Sequence, residues 1–223
     1  MTKPMISRKR AAGHFFLAAG AAWGLCETGI GLGLRGLCQA GISAALLAGF
    51  GLFCLAAAVG FSGRRLPSPL VLLLAVLLRL PAAPILGRPL ASPAIFNPAF
   101  ALVTEFAALA AVLALLGRGT GRSLAADMGR GAMAALTAAP LFLAVGFLSR
   151  QPACLAAGTA IPACLYFVPL SAAIAAPAFA GGVRFGRAAE RALGARTPLA
   201  MRLLDAAALA MLAAIVLIER LRG

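Results

Sequence analysis

Apolar stretches at 12–34, 40–61, 69–80, 98–116, 131–149, 155–182 and 203–218 alternate along the chain with short breaks rich in arginine, glycine and proline. Runs of roughly 18 residues or more are long enough to cross a bilayer as helices. The run 69–80 is short, and Pro81, Pro84, Pro89, Pro93 and Pro98 punctuate the next eighteen residues, 81–98. That stretch predicts a loop or re-entrant piece, because irregular backbone is tolerated at membrane depth only inside protein. Asn97-Pro98 reads as the cap and first-turn pair that opens the fourth helix. Pro162, Pro169 and Pro177 predict a kinked helix over 155–182. The last run, about 16 residues, is marginal as a span, although Thr197-Pro198 supplies a helix start. The pattern predicts an all-α, polytopic transmembrane bundle of six to seven helices. It forms one domain over 1–223 with a basic cytoplasmic N-terminus at 1–11.

Composition removes the main alternatives. In 223 residues, 62% are hydrophobic and 12% charged, and mean hydropathy is +0.99, whereas soluble domains carry about 25% charge. A net charge of +14 would ordinarily raise the question of nucleic acid. Here the basic residues fall in the breaks between apolar runs, and no motif or aromatic platform accompanies them, so no nucleic-acid partner is predicted. The partner that the pattern implies is the lipid bilayer. The N-terminus resembles a secretory signal, with a basic stretch, an apolar run and small residues at Ala18 to Ala22. The run continues past Trp23 to Leu34, too long for a signal core, and reads as an uncleaved first helix.

Arginine placement orients the bundle. Lys3, Arg8, Lys9 and Arg10 precede the first span, and Arg64 and Arg65 follow the second. Arg118, Arg122 and Arg130 follow the fourth, and Arg184, Arg187, Arg191, Arg196 and Arg202 the sixth. All fall on one side, which the positive-inside rule makes cytoplasmic, in an inner (plasma) membrane. Seven spans put the C-terminus outside and a non-spanning last helix keeps it inside; Arg220 and Arg222 favour inside.

Against this background two acids stand out. Only six acidic residues exist, and Glu27 and Glu105 lie within apolar spans, where a charge costs several kcal/mol unless paired, neutralised or facing water. With the first helix ending near Leu34 and the fourth beginning at Asn97, both lie roughly 10 Å below an outer helix end at 1.5 Å per residue. Arg79, near the outer end of the short third helix, is long enough to join them. Trp23, one turn before Glu27, can line the same cavity. Glu27, Arg79, Glu105, Trp23 and Asn97 are therefore the candidate substrate-binding residues. Gly20, Gly24, Glu27, Gly31 and Arg35 fall near one face of the first helix, and Ala101, Glu105 and Ala108 on one face of the fourth. Such small-residue stripes let helices approach closely in lipid.

Other chemistry is sparse. His14 is the single histidine and reads as a helix-end interfacial residue. Paired-histidine haem ligation within the chain is impossible, and a histidine-rich metal centre is excluded. Cys26, Cys54 and Cys164 read as small apolar residues, while Cys38 and Cys154 both fall near outer ends and leave a disulfide open. CxxC, GxxxxGK[ST], GxSxG and HExxH are all missing. Neither a nucleophile–base pair nor a metal set is found, so no enzyme, cofactor or metal is predicted. Arg184, Arg187 and Arg191, at helical spacing, read as a surface facing anionic headgroups.

Trp23-Gly24-Leu25-Cys26-Glu27-Thr28-Gly29-Ile30-Gly31 resembles a W-G-x-x-E-x-x-x-G signature in the first helix of a family of uncharacterised bacterial membrane proteins. Asn97-Pro98-Ala99-Phe100-Ala101-Leu102-Val103-Thr104-Glu105 resembles that family's N-P-A-x-A-x-x-x-E stretch, and Arg79 falls where the family carries a basic residue. The resemblance covers roughly 15–110. These proteins are similar in size and helix count to the substrate-binding S components of energy-coupling-factor transporters. That similarity implies a small-molecule solute taken from the outer side and a transmembrane coupling protein with ATPase subunits as partner; the seventh segment departs from the usual six helices.

Three readings are compatible with these features: a solute-binding transporter subunit, a self-sufficient proton-coupled carrier using Glu27 and Glu105, and an intramembrane enzyme or structural membrane protein. The first is preferred. No phosphate loop is present for ATP hydrolysis, and no internal repeat marks a carrier. Arg35, Arg88 and Arg150 on the outer side point to an anionic group on the solute.

Overall fold

The computed structural model describes residues 3–33, 41–80, 83, 87, 89–90, 92–116, 120–148, 155–195 and 213. Among them the chain is all-helical: α1 (Lys3–Gly33), α2 (Gly41–Ser62), α3 (Pro69–Leu77), α4 (Pro93–Leu116), α5 (Leu124–Leu148), α6 (Ala163–Tyr166) and α7 (Val168–Ala195). Four helices are long and apolar enough to cross a membrane, within Ala44–Ser62, Ile95–Leu116, Leu124–Leu148 and Val168–Leu193, which fits a membrane protein. The α1 helix is longer than any of these, but Arg10, His14 and Glu27 lower its apolarity.

Helix ends follow local chemistry. Gly63 adopts φ +64 and donates its N–H to the Val59 carbonyl at 3.0 Å, the left-handed cap that stops α2. Ser68 is extended and Pro69 occupies the first helical position of α3, where its missing N–H costs no helical bond. Several boundaries differ from the sequence reading: α1 begins at Lys3, ahead of the 12–34 run, and α5 at Leu124, ahead of the 131–149 run. The α4 helix begins at Pro93 and runs through Pro98, so Asn97 is an interior helical residue and not a cap. The Ala/Leu-rich flanks outweigh the single bond that Pro98 removes. The expected kinked helix over 155–182 is instead a turn followed by two helices. Leu155 and Pro162 form an antiparallel bridge, and α7 then continues thirteen residues beyond 182, carrying Arg184, Arg187 and Arg191. Pro177 sits inside α7.

The α2 helix is central. It packs most extensively on α7, which also packs on α5; α5 packs on α4, and α1 lies against α3 and α2. The α2–α7 seam depends on small residues. A Cβ on Gly60 would strike the Val183 carbonyl, one on Gly182 the Phe53 carbonyl, and one on Gly186 the Ala57 carbonyl. These are backbone atoms that cannot step aside, so the helices approach as closely as glycine permits. The Gly20 and Gly24 face of α1 meets α3 in the same way, at Val71 and Leu78.

One end of the bundle gathers the basic residues. Phe15 of α1 stacks on Phe61 of α2 at 4.3 Å and lies 6.3 Å from Phe185 of α7, which brings the first half of α1 to the end of α2 and the second half of α7. Arg187 donates to the Gly121 carbonyl at 2.8 Å and to the Thr120 carbonyl, adding the α4–α5 loop. Among the described arginines, Arg79 alone lies at the other end. Most of the 203–218 segment, with Thr197-Pro198, Cys38, Cys154, Pro81, Pro84, Arg35, Arg88 and Arg150, lies outside the described residues; of the 81–98 stretch read as loop or re-entrant, 93–98 is helix instead, and between 81 and 92 only 83, 87, 89–90 and 92 are described.

Candidate functional site

Glu27, Arg79, Glu105 and Trp23 converge between α1, α3, α4 and α2. Trp23 is fully buried, and Glu27, Arg79 and Glu105 are 9%, 3% and 8% exposed. Arg79, just past the last turn of α3, reaches across to α1 and donates from Nη1 to the Glu27 backbone carbonyl at 3.2 Å. Beside it the Thr28 hydroxyl donates to the Leu78 carbonyl at 3.3 Å, so two buried bonds tie the end of α1 to the end of α3. The Arg79 guanidinium acts on the Glu27 carboxylate, and the Trp23 indole N–H lies within electrostatic reach of that carboxylate without closing a hydrogen bond. Glu27 and Glu105 in turn feel each other's charge.

Gly51 of α2 organises the rest. The point where its Cβ would stand is 2.5 Å from Trp23 Nε1 and 2.7 Å from Glu105 Oε2. Both polar atoms are buried without a hydrogen-bond partner, a cost of about 1–3 kcal/mol each. Such atoms are rare in folded proteins and mark places where something else supplies the missing bond. With all three groups ionised, Glu27, Glu105 and Arg79 carry one excess negative charge, which a proton or a donor-bearing ligand offsets.

The depth differs from the sequence reading. Because α4 starts at Pro93, Glu105 lies roughly 18 Å from that start and roughly 16 Å from Leu116 at 1.5 Å per residue. It is at mid-height of α4, next to mid-height of α2, and not roughly 10 Å below the outer helix end. Asn97 is half-buried on α4, two turns before Glu105, and among the described residues it makes no hydrogen bond to the other four. Gly51, Thr28 and a second polar cluster escaped the sequence reading. In that cluster Asp127, 1% exposed, pairs with Arg130 at 2.8 Å and accepts the Gly121 N–H on both carboxylate oxygens, at 3.0 and 2.7 Å. The available signal was the scarcity of acids, applied to Glu27 and Glu105 but not to Asp127. Cys26, Cys54 and Cys164 are free thiols, and among the described residues no three histidine, cysteine or acidic side chains could hold a metal. Comparison with known proteins gives no match to a family model, a curated protein or a solved structure.

Proposed function

We propose that this chain is a multi-span inner-membrane protein, six- or seven-helical, that binds a small solute at the Trp23–Glu27–Arg79–Glu105 cluster as the substrate-binding subunit of a transporter. The observation that carries the reading is the pair of unsatisfied buried atoms, Trp23 Nε1 and Glu105 Oε2, aimed at one point over Gly51. A solute group that accepts from the indole and donates to the carboxylate, such as a hydroxyl, amide or amine, meets both. Energy comes from a partner, a transmembrane coupling protein with ATPase subunits, since the chain holds no phosphate loop. The Gly13, Ala18 and Ala22 face of α1 suits that contact: a Cβ on Gly13 would meet nothing within 4 Å, and both alanines are only half-buried. Small residues on an open face permit close helix contact.

The excess negative charge favours one alternative, a proton-coupled carrier in which Glu105 takes and releases the proton. Two measurements separate the readings. Affinity purification from native membranes recovers a coupling protein and an ATPase if the first reading holds, and mass spectrometry of the purified protein identifies a retained solute that Glu27→Gln and Glu105→Gln release. Recovery of the chain alone, with uptake driven by a pH gradient in liposomes, establishes the carrier instead.

The same reading puts the N-terminus in the cytoplasm, supported by the gathering of described arginines at one end. Cysteines introduced at Arg122 and Ser123 are then expected to resist impermeant thiol reagents in intact cells, and one at Thr159 to react. Labelling of the 122–123 pair from outside would reverse the orientation.

A further inference from the structure

An open groove with a polar mouth lies away from the carboxylate cluster, at the arginine-rich end. It encloses about 600 Å³ and is lined by Arg64, Arg65, Leu66 and Pro67 of the α2–α3 connection and by Phe106 and Ala110 of α4. Both arginines are exposed, and among the described residues neither guanidinium has a hydrogen-bond or ion-pair partner. The walls beyond them are apolar. Ala110 and Phe106 lie roughly 9 and 15 Å from the Leu116 end of α4 at 1.5 Å per residue. The groove therefore starts at the membrane surface and descends towards the middle of a hydrocarbon core about 30 Å thick. Leu66, which lines the groove, is itself an exposed large apolar residue, as a wall open to lipid requires.

A cationic mouth over an apolar shaft at that depth matches one amphiphile: a negatively charged headgroup with an acyl chain below it. We propose that this groove binds an anionic phospholipid of the adjacent leaflet, with the phosphate held between Arg64 and Arg65 and one acyl chain laid along Phe106 and Ala110. Arginine suits the headgroup because its planar fork contacts two phosphate oxygens at once. Basic pockets beside membrane helices recognise lipid headgroups by the same chemistry. The Ala110 side chain is small enough to leave the shaft open, and Phe106 supplies a flat wall.

Native mass spectrometry of the purified protein, titrated with phosphatidylglycerol, phosphatidylcholine or inorganic phosphate, tests the assignment. Phosphatidylglycerol is expected to be retained in preference to phosphatidylcholine. The Arg64→Gln/Arg65→Gln double variant should lose that preference by at least about tenfold, at about 1 kcal/mol per basic residue, with an unchanged melting temperature because both side chains are exposed. Ala110→Trp fills the shaft and should weaken retention of the lipid while both arginines remain. Equal retention of the two lipids by the wild type overturns the proposal, as a groove reserved for a partner helix or lined by merely solvated arginines would give. Competition by inorganic phosphate as strong as that by phosphatidylglycerol also overturns it, since the acyl chain would then contribute nothing.

Discussion

Asp127→Ala is expected to lower the stability of the protein in detergent by about 3–5 kcal/mol, read as a large drop in melting temperature. The substitution removes the partner that Arg130 holds at 2.8 Å and leaves that guanidinium, 7% exposed, in a site made for a pair. Breaking a buried pair from one side costs more than replacing both members, because the remaining charge keeps its desolvation penalty. Asp127 also accepts the Gly121 N–H on both oxygens and occupies the first turn of α5, where a negative charge complements the helix dipole. Gly121, at φ +76, offers its carbonyl to Arg187 of α7. One carboxylate therefore joins α5, the α4–α5 turn and α7. The Asp127→Leu/Arg130→Leu double variant should recover much of the loss. If it is as unstable as Asp127→Ala, the deficit comes from the turn and not from loss of the Asp127–Arg130 pair.

Glu105→Gln should act in the opposite sense on stability and, on the proposed solute-binding reading, weaken solute retention. With both carboxylates ionised, an amide at 105 removes the one excess negative charge of the Glu27–Arg79–Glu105 cluster while keeping its shape, and Oε2 has no hydrogen-bond partner among the described residues to lose. The melting temperature is expected to rise, by the equivalent of about 1–2 kcal/mol, while retention of the solute falls at least about tenfold. Sites that bind ligands commonly hold such destabilising groups at the expense of the empty fold. Gly51→Ala gives the complementary result. Its Cβ would stand 2.5 Å from Trp23 Nε1, so it closes the meeting point and should also release the solute, but with a stability loss of about 1–3 kcal/mol from overpacking. A Glu105→Gln protein that is less stable and still retains its solute would make the carboxylate a structural element.

Much of this was legible in the chain because the cost of a charge in lipid depends on residue and segment, not on contacts. Apolar runs long enough to span, an arginine-rich end and three ionisable outliers, Glu27, Arg79 and Glu105, follow from that cost alone. The start of the short α3 helix did too, at the beginning of the 69–80 run, although the helix ends at Leu77. Rotation of each helix about its axis did not. The α2 helix from Gly41 to Ser62 contains no charged residue, so nothing in its sequence distinguishes Gly51 from Gly49 as the residue facing Trp23 and Glu105. In a chain with 25 glycines, small-residue stripes occur on several faces, and only packing selects Gly60, Gly182 and Gly186 as a seam.

Helix ends in apolar surroundings were likewise decided by tertiary structure. The residues before Asn97 and after 182 are compatible with helix or loop, and α4 and α7 extend through them, burying Ile95, Val183, Gly186 and Leu193 while most of the added α7 turns stay exposed. That extension moved Glu105 to mid-height. The sequence by itself determined that charged groups must be reconciled inside a helical membrane protein, because burial energy is a local property of each side chain. Only the tertiary structure decided how: Arg79 on the Glu27 carbonyl, Asp127 on Arg130, and Trp23 with Glu105 left open over Gly51. Hydrogen bonds act over about 3 Å, a scale that helix rotation and register set and that the order of residues does not.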